Sequence, residues 1–315
     1  MRRGFTPLDA VVLVAYLAGT TAFGLWLGRR QKDARDYFVA GQDIPWPAVM
    51  FSVVATETSA LTFISIPGLA YIGNLGFLQV VAGYLLGRIV LAFTLLPRYY
   101  QGEIVTAYAM LERRFGLATR RFTSIVFMGT RVLADSVRIF ATAIPVALIL
   151  AGTGAVSSRY AMPAGILVLG ILTVIYTYKG GMRAVVWTEL IQGGIYIVGG
   201  IAAVVLLGQS IPGGWSAILH SAQAAGKLRM IDWYTGVDRP FTVLAGLLGG
   251  AFLSMASHGA DQLIVQRLLS ARSLRDAQKA VIGSGVAVLV QMALFLIIGI
   301  GLWAHFGGQT FASPD

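Results

Sequence analysis

Long apolar runs are the feature that most constrains the fold of this chain. Windows of about 20 predominantly apolar residues, the length that crosses a bilayer, recur along it. Eight such windows are predicted spans, at residues 8–28, 46–70, 75–97, 122–151, 160–178, 183–208, 240–266 and 277–304. Because 57% of the residues are hydrophobic and only 12% are charged, the sequence predicts an all-α, polytopic membrane helix bundle.

The basic residues predict the orientation of the chain. A net charge of +10 would suit nucleic acid, but the Lys and Arg residues cluster in short loops between the windows, as membrane topology alone requires. Fifteen of them lie after the first, third, fifth and seventh windows, and six lie on the opposite side. The positive-inside rule therefore predicts a plasma-membrane protein with its amino terminus outside. Cysteine is absent, which excludes disulfides and thiolate metal sites.

Two of the apolar windows carry polar residues near their centres. The second contains VVATETSALTFISIPG (53–68) with Glu57, and the seventh contains GGAFLSMASHGADQLIVQR (249–267) with Asp261. In hydrocarbon a helix breaks only where it borders protein or a water-filled cavity, so both windows are predicted to be discontinuous helices lining one. Five crossings apart, they run in opposite directions, as in an inverted repeat with a midplane site. Simple Gly- and Ser-rich packing helices are the alternative, but packing leaves the two carboxylates unexplained.

The fourth window places three charges on one helix face. Arg131, Asp135 and Arg138 lie at i, i+4 and i+7, and each would cost about 2.5 to 3.5 kcal/mol at the bilayer centre, so they are predicted to face the interior. They form either an internal ion-pair ladder or a site in which Arg131 or Arg138 binds a carboxylate. In the third window, Gln79 is a cavity candidate, and Arg88 is expected to snorkel at the cytoplasmic end.

The longest outer connection, 209–239, is predicted to contain a short amphipathic surface helix. Trp215, Ile218 and Leu219 recur at helical spacing there. His220 is expected to be a surface residue rather than a ligand.

Three segments make the chain resemble the sodium:solute symporter family over nearly its whole length. They are DYFVAGQDIPWPAV (36–49), YKGGMRAVVWTELIQGG (178–194) and GADQLIVQRLLSARSLRDAQKA (259–280). The resemblance implies a five-plus-five inverted-repeat, LeuT-like fold: a leading helix at 8–28, a first repeat at about 46–208 and a partial second repeat at about 240–304. Core helices eight to ten have no counterpart here, so the chain is expected to be the amino-terminal part of a longer transporter.

The resemblance also implies a set of site residues. Sodium would bind the backbone carbonyls of Ala55 and Thr58 together with hydroxyls of core helix eight, and Glu189 replaces a usual aspartate at a possible second cation site or exit route. With the cavity candidates, the predicted solute-binding residues are Ser59, Thr62, Gln79, Arg131, Arg138, His258, Asp261 and Gln262. Glu57 and Asp135 are predicted to form a coupling or charge network.

The predicted function is sodium-coupled symport of a small polar solute, such as a sugar, sugar acid or carboxylate, with no organic cofactor. A proton carried by Glu57 is an alternative, because burial raises the pKa of a carboxylate. A transporter-like sensor that binds solute without moving it is another. An enzyme is not predicted, since the chain has no HExxH or GxSxG motif. His258 either hydrogen-bonds solute or is a packing residue.

Overall fold

The computed structural model describes residues 7–28, 40–101, 108–152, 154, 156–236 and 239–310. Within these ranges every extended regular element is helical, and Ile44 and Ala271 form an isolated parallel bridge. Eleven α-helices of at least seven residues are found there, with these bounds: α1 Pro7–Gly28, α2 Trp46–Glu57, α3 Ala60–Ile72, α4 Leu78–Tyr100, α5 Ala109–Phe115, α6 Leu117–Gly152, α7 Ser158–Ser210, α8 Gly214–Ala224, α9 Gly250–Gly259, α10 Gln262–Leu269 and α11 Leu274–His305.

Five helices in the described part of the chain are long and apolar enough to cross a membrane. They are Leu75–Tyr100, Leu117–Gly152, Ser158–Ile175, Gly181–Ser210 and Leu274–His305, and the bent pair α2–α3 makes a sixth when counted as one span. The chain is therefore a multi-pass membrane protein. The first and seventh predicted windows correspond to α1 and to the short helices α9 and α10, which do not meet this criterion, so a total of eight spans remains a prediction.

Gly181 divides α7 into the two arms that the sequence predicts as separate spans. It has φ 59° and ψ −166° inside an otherwise helical segment. Residues with a side chain rarely adopt this backbone conformation, so glycine permits the kink. The connection between the two spans is consequently a sharp bend rather than a long loop.

The polar run in the second window breaks its helix, as the sequence predicts. α2 ends at Glu57, Thr58 is extended with φ −88° and ψ 111°, and α3 starts anew after Ser59. Ser59 and Thr62 form a capping box, in which each side chain binds the other's backbone amide. Hydroxyl side chains thus satisfy amides that the break exposes. The two halves meet at an angle of 66°.

The second break lies at residues 260–261, between α9 and α10. Asp261 is extended, and its carboxylate accepts a hydrogen bond from the Leu263 amide at 2.9 Å, which caps α10. A π-helical turn, Ala245–Gly249, precedes α9. Two interrupted helices are therefore present at the positions where the sequence predicts them.

Glycines let the broken helices approach their neighbours closely. A methyl group at Gly87 of α4 would collide with the backbone of Ala251 in α9, and one at Gly299 of α11 would collide with the Pro67 carbonyl in α3. Small residues permit such backbone contact where lipid provides no hydrophobic driving force. α4 thereby packs closely against the helix before the second break, and α11 packs closely against the helix after the first.

The break in α2–α3 lies between two buried apolar clusters. One contains Val53 with Leu91 and Leu268, and the other contains Val54 with Phe295. The polar side chains at the end of α2 therefore occupy the zone between the clusters. α8 closes the second cluster with Ile218 and Ala222, which confirms the short amphipathic helix, and His220 is exposed.

Candidate functional site

The two breaks open onto one cavity of about 360 Å³, here called the break cavity. Its polar and charged lining residues are Thr56, Glu57, Thr62, Tyr84, Arg88, Arg131, Arg138, Ser254, Ser257, His258 and Asp261. Its apolar lining residues are Ile66, Phe77, Leu253, Leu263, Ile264 and Met292. Such a wall, apolar with a few convergent polar groups, is typical of a small-molecule site.

Glu57 is held between two basic side chains. Arg88 Nη2 donates to Glu57 Oε2 at 2.5 Å, and His258 Nε2 lies 2.6 Å from Glu57 Oε1. Arg88 also donates to Ser284 Oγ of α11 at 2.7 Å. Arg88 is completely buried, so the expectation that it snorkels to the cytoplasmic surface is wrong. A buried guanidinium needs a carboxylate partner, and the break in α2 supplies it.

The other ring nitrogen of His258 is bound within its own helix. His258 Nδ1 lies 3.0 Å from the Ser254 carbonyl and 2.9 Å from Ser257 Oγ. Because a carbonyl only accepts hydrogen bonds, Nδ1 carries a proton in this arrangement. His258 is thus oriented toward Glu57 by the last turns of α9.

Arg131 joins α6 to the second break. Its Nη1 donates to Asp261 Oδ2 at 3.0 Å, and its Nη2 donates to Asp135 Oδ1 at 3.1 Å. Arg138 is 3.9 Å from the same Asp135 oxygen. The three charges of α6 therefore share one face as the sequence predicts, and Asp261 is the further carboxylate that this face needs. Asp261 performs two tasks, since it also caps α10.

The predicted sodium ligands lie at the end of α2. The last carbonyls of a helix have no intrahelical partners, and Ala55 belongs to this last turn. Thr58 is buried, and its hydroxyl lies 2.9 Å from the Val54 carbonyl and 3.0 Å from Gln291 Oε1 of α11. These groups are neutral oxygens, the kind that suits sodium, and their assignment to it stays a prediction.

The other predicted solute ligands have mixed positions. Thr62 lines the break cavity, whereas Ser59, Gln79 and Gln262 are not in its wall. Ser59 caps α3. Gln79 donates to the Phe241 carbonyl at 2.5 Å and accepts from the Asp232 amide, so the structure places it against these two residues instead. Its predicted solute contact is without geometric support.

Glu189 of α7 lies in a separate charged cluster. Arg267 Nη2 donates to its Oε1 at 2.6 Å, and the hydroxyls of Ser52 and Thr56 donate to the same carboxylate. A second cavity, of about 340 Å³, adjoins this cluster and is lined by Glu189 and Arg267 together with Thr188. Arg267 was assigned to a cytoplasmic loop on the sequence, but it is buried in α10. The ion pair therefore connects the half-helices α2 and α10 to α7.

A family model described as the sodium:solute symporter family matches residues 37–310. The chain belongs to this family. The resemblance carried by the three sequence segments is thereby confirmed.

This family member is similar to several curated transporters over most of its length. It is 30% identical to the sodium/sialic acid symporter NanT of Aliivibrio fischeri, covering 99% of this chain and 60% of the relative. It is 29% identical to a sodium/glucose cotransporter of Vibrio parahaemolyticus, covering 96% of this chain and 56% of the relative. The chain thus spans about three fifths of the length of these relatives.

A solved structure supports the family's fold for this chain. A substrate-bound, outward-open Na⁺-coupled sialic acid symporter matches with a TM-score of 0.81 and 28% identity, covering 96% of this chain and 62% of that one. The helical arrangement described above is therefore that of a sodium:solute symporter. The family and the relatives are transporters rather than enzymes.

Three residues of the two charged clusters and the break cavity were missed from the sequence. Arg88 was expected at the cytoplasmic end of its span, although it lies near the middle of α4. Arg267 was counted with a loop because its apolar window ends one residue earlier. Ser254 was noted in the broken window without a role. A charged residue well inside an apolar window was the available signal for Arg88.

Proposed function

We propose that this chain forms the ion- and solute-binding part of a sodium-coupled symporter that works by alternating access. The observation that carries the proposal is the break cavity, which is bordered by both interrupted helices and contains an arginine, Arg131, in its wall. Interrupted helices in membrane transporters place unwound backbone and half-helix ends at the substrate and ion sites.

The cation is sodium, bound at the end of α2. Backbone carbonyls of Ala55 and Thr58 offer oxygens without a fixed charge, and a hydroxyl or carbonyl from a further helix would complete the shell. Glu57 is already engaged by Arg88 and His258, so the carboxylate serves the structure of the break. This occupancy favours sodium over a proton carried by Glu57.

The solute is an anion whose carboxylate binds Arg131. Arg131 lines the cavity beside Asp261. Its two Nη atoms each donate to a carboxylate of the protein, but its Nε has no partner in the described part of the chain, so donor capacity remains for a solute carboxylate. The relatives named above transport sialic acid or glucose, and further relatives are sodium-coupled monocarboxylate transporters. Among these solute classes, the arginine favours sialic acid and monocarboxylates over glucose.

The charged clusters suggest a transport cycle, which is also part of the proposal. The Glu189–Arg267 pair connects the half-helices α2 and α10 to α7, and we place it at the cytoplasmic gate. Its opening would release the solute, with Glu189 at the exit route. We further propose the LeuT-like repeat, with α1 as the leading helix, 46–208 and 240–304 as related units, and the amino terminus outside the plasma membrane.

Uptake by proteoliposomes that contain the complete gene product tests the proposal. Labelled sialic acid, pyruvate and glucose would be offered under a sodium gradient and under a choline gradient. Sodium-dependent accumulation of an anionic solute is the expected result. Arg131→Lys should raise the half-saturating concentration of that solute about tenfold or more, whereas Arg114→Lys, an exposed change on α5, should not. Equal accumulation of solute under the sodium and choline gradients would contradict the proposal. Binding of solute without accumulation would indicate a sensor.

A further inference from the structure

Three polar atoms in residues of the break-cavity wall have no hydrogen-bond partner within the described part of the chain. They are Arg88 Nε, Arg131 Nε and Ser254 Oγ. Buried polar atoms nearly always have a partner, and each exception needs an explanation. A molecule bound in the cavity would supply partners to such atoms.

Ser254 is unusual because its backbone carbonyl takes part in hydrogen bonds while its side-chain hydroxyl is without a partner in the described part of the chain. Its carbonyl lies within hydrogen-bond distance of His258 Nδ1 and accepts from Ser257 Oγ. The Ser254 residue is only 2% exposed, and among the described residues its hydroxyl has no hydrogen-bond partner, either in the preceding turn or in another helix. Most serines in membrane helices bond back to a carbonyl of their own helix, as Ser136 does with Val132.

Glu57 brings acceptor capacity to the same cavity. Each of its two oxygens receives one partner, Arg88 on one and His258 on the other. An ionised carboxylate accepts about four hydrogen bonds, so capacity remains. The side chain is 18% exposed, and Glu57 lines the cavity together with Ser254.

The charge of this cluster decides which group it can bind. Arg88 neutralises Glu57 and His258 adds no negative charge, so the cluster carries no net negative charge. An ammonium group would meet a buried guanidinium and gain no net attraction. A hydroxyl group fits, because it donates to the carboxylate and exchanges a second hydrogen bond with Ser254.

We propose that Ser254 and Glu57 form a second solute-binding site in the break cavity, which takes a hydroxyl group of a solute whose carboxylate binds Arg131. The transported solute is then a hydroxylated carboxylate, and Ser254 determines this specificity. The inference rests on the proposed binding of an anion at Arg131.

Three six-carbon carboxylates test the inference: gluconate, hexanoate and 6-aminohexanoate. Their dissociation constants would be measured with sodium for the complete gene product in nanodiscs. Gluconate should bind about tenfold or more tightly than hexanoate, the equivalent of one good neutral hydrogen bond. Ser254→Ala should remove most of this difference by weakening gluconate alone.

Ser254→Ala is a clean variant because the hydroxyl has no partner to lose in the part of the chain that the structure describes. Its thermal unfolding should match that of the wild type, and Ser136→Ala, on an exposed face of α6, serves as the control for both readouts. A gluconate preference that survives Ser254→Ala would overturn the inference, as would tighter binding of 6-aminohexanoate than of gluconate. If the inference fails in this way but Arg131→Lys weakens the binding of all three probes, the proposed binding of an anion at Arg131 is still supported. If no probe binds in a sodium-dependent way, the proposed function fails together with the inference.

Discussion

Breaking the Arg88–Glu57 pair should destabilise the protein more than any single loss of surface charge. Arg88 is completely buried, and its partner Glu57 is 18% exposed. Arg88→Met removes the guanidinium at similar length and leaves the carboxylate without its strongest partner. Removing one member of a buried ion pair costs about 3 to 5 kcal/mol. Because His258 still contacts Glu57, we expect the lower half of that range.

The double variant separates the pair from the individual side chains. Glu57→Gln alone leaves a buried guanidinium without a carboxylate, and its cost should be similar. In Arg88→Met/Glu57→Gln neither charge remains, so the loss of stability should fall short of the sum of the single losses by about 2 kcal/mol or more.

The assay is the free energy of unfolding in mixed micelles, measured for all four proteins. Arg229→Met is the matched control, since the Arg229–Asp232 pair is exposed and should be worth less than about 1 kcal/mol. The reasoning is refuted if Arg88→Met lowers the free energy of unfolding no more than this control does. It is also refuted if the loss in the double variant equals the sum of the losses in the two single variants, because the buried pair would then not stabilise the break.

Two further changes test the packing and the outer surface. Gly87→Val should destabilise the protein by about 1 to 3 kcal/mol or more in the same unfolding assay, because the side chain would meet the Ala251 backbone. Gly194 lies in open space, so the control Gly194→Ala should leave the free energy of unfolding unchanged or raise it slightly. Equal effects of the two changes would contradict the close contact of α4 and α9. Burial lowers the pKa of Lys227, so between the folded and unfolded pKa values the unfolded chain holds more protons and stability should rise with pH. Lys227→Met should remove this alkaline rise, and an unchanged profile would show that Lys227 is not its source.

The breaks were predictable because they depend on local chemistry. Hydroxyls and a carboxylate in the middle of an apolar window are costly in lipid, so their presence at Thr56–Thr62 and around Asp261 indicated an interrupted helix. The common face of Arg131 and Asp135 followed from helical spacing alone. The alternative of merely packed Gly- and Ser-rich helices is excluded for the second window by the 66° bend.

The partners of the charges were not predictable, because they depend on how distant helices pack. Glu57 and Arg88 lie 31 residues apart, and Glu189 and Arg267 lie 78 apart. No periodicity within one window indicates which buried arginine meets which carboxylate. Gln79 illustrates the same limit, since a polar residue in an apolar window was compatible with either a cavity or the outer segment that it binds.

Sodium-dependent hydrogen exchange of the backbone tests the central claim most directly, because it needs no knowledge of the solute. The amides of 54–62 and 257–262 would be followed in the complete gene product with sodium and with choline at equal ionic strength. We predict that sodium slows exchange at 54–62, and that adding the transported solute extends the protection to 257–262. Equal exchange in sodium and choline at both segments would contradict the claim that the interrupted helices form the ion and solute site.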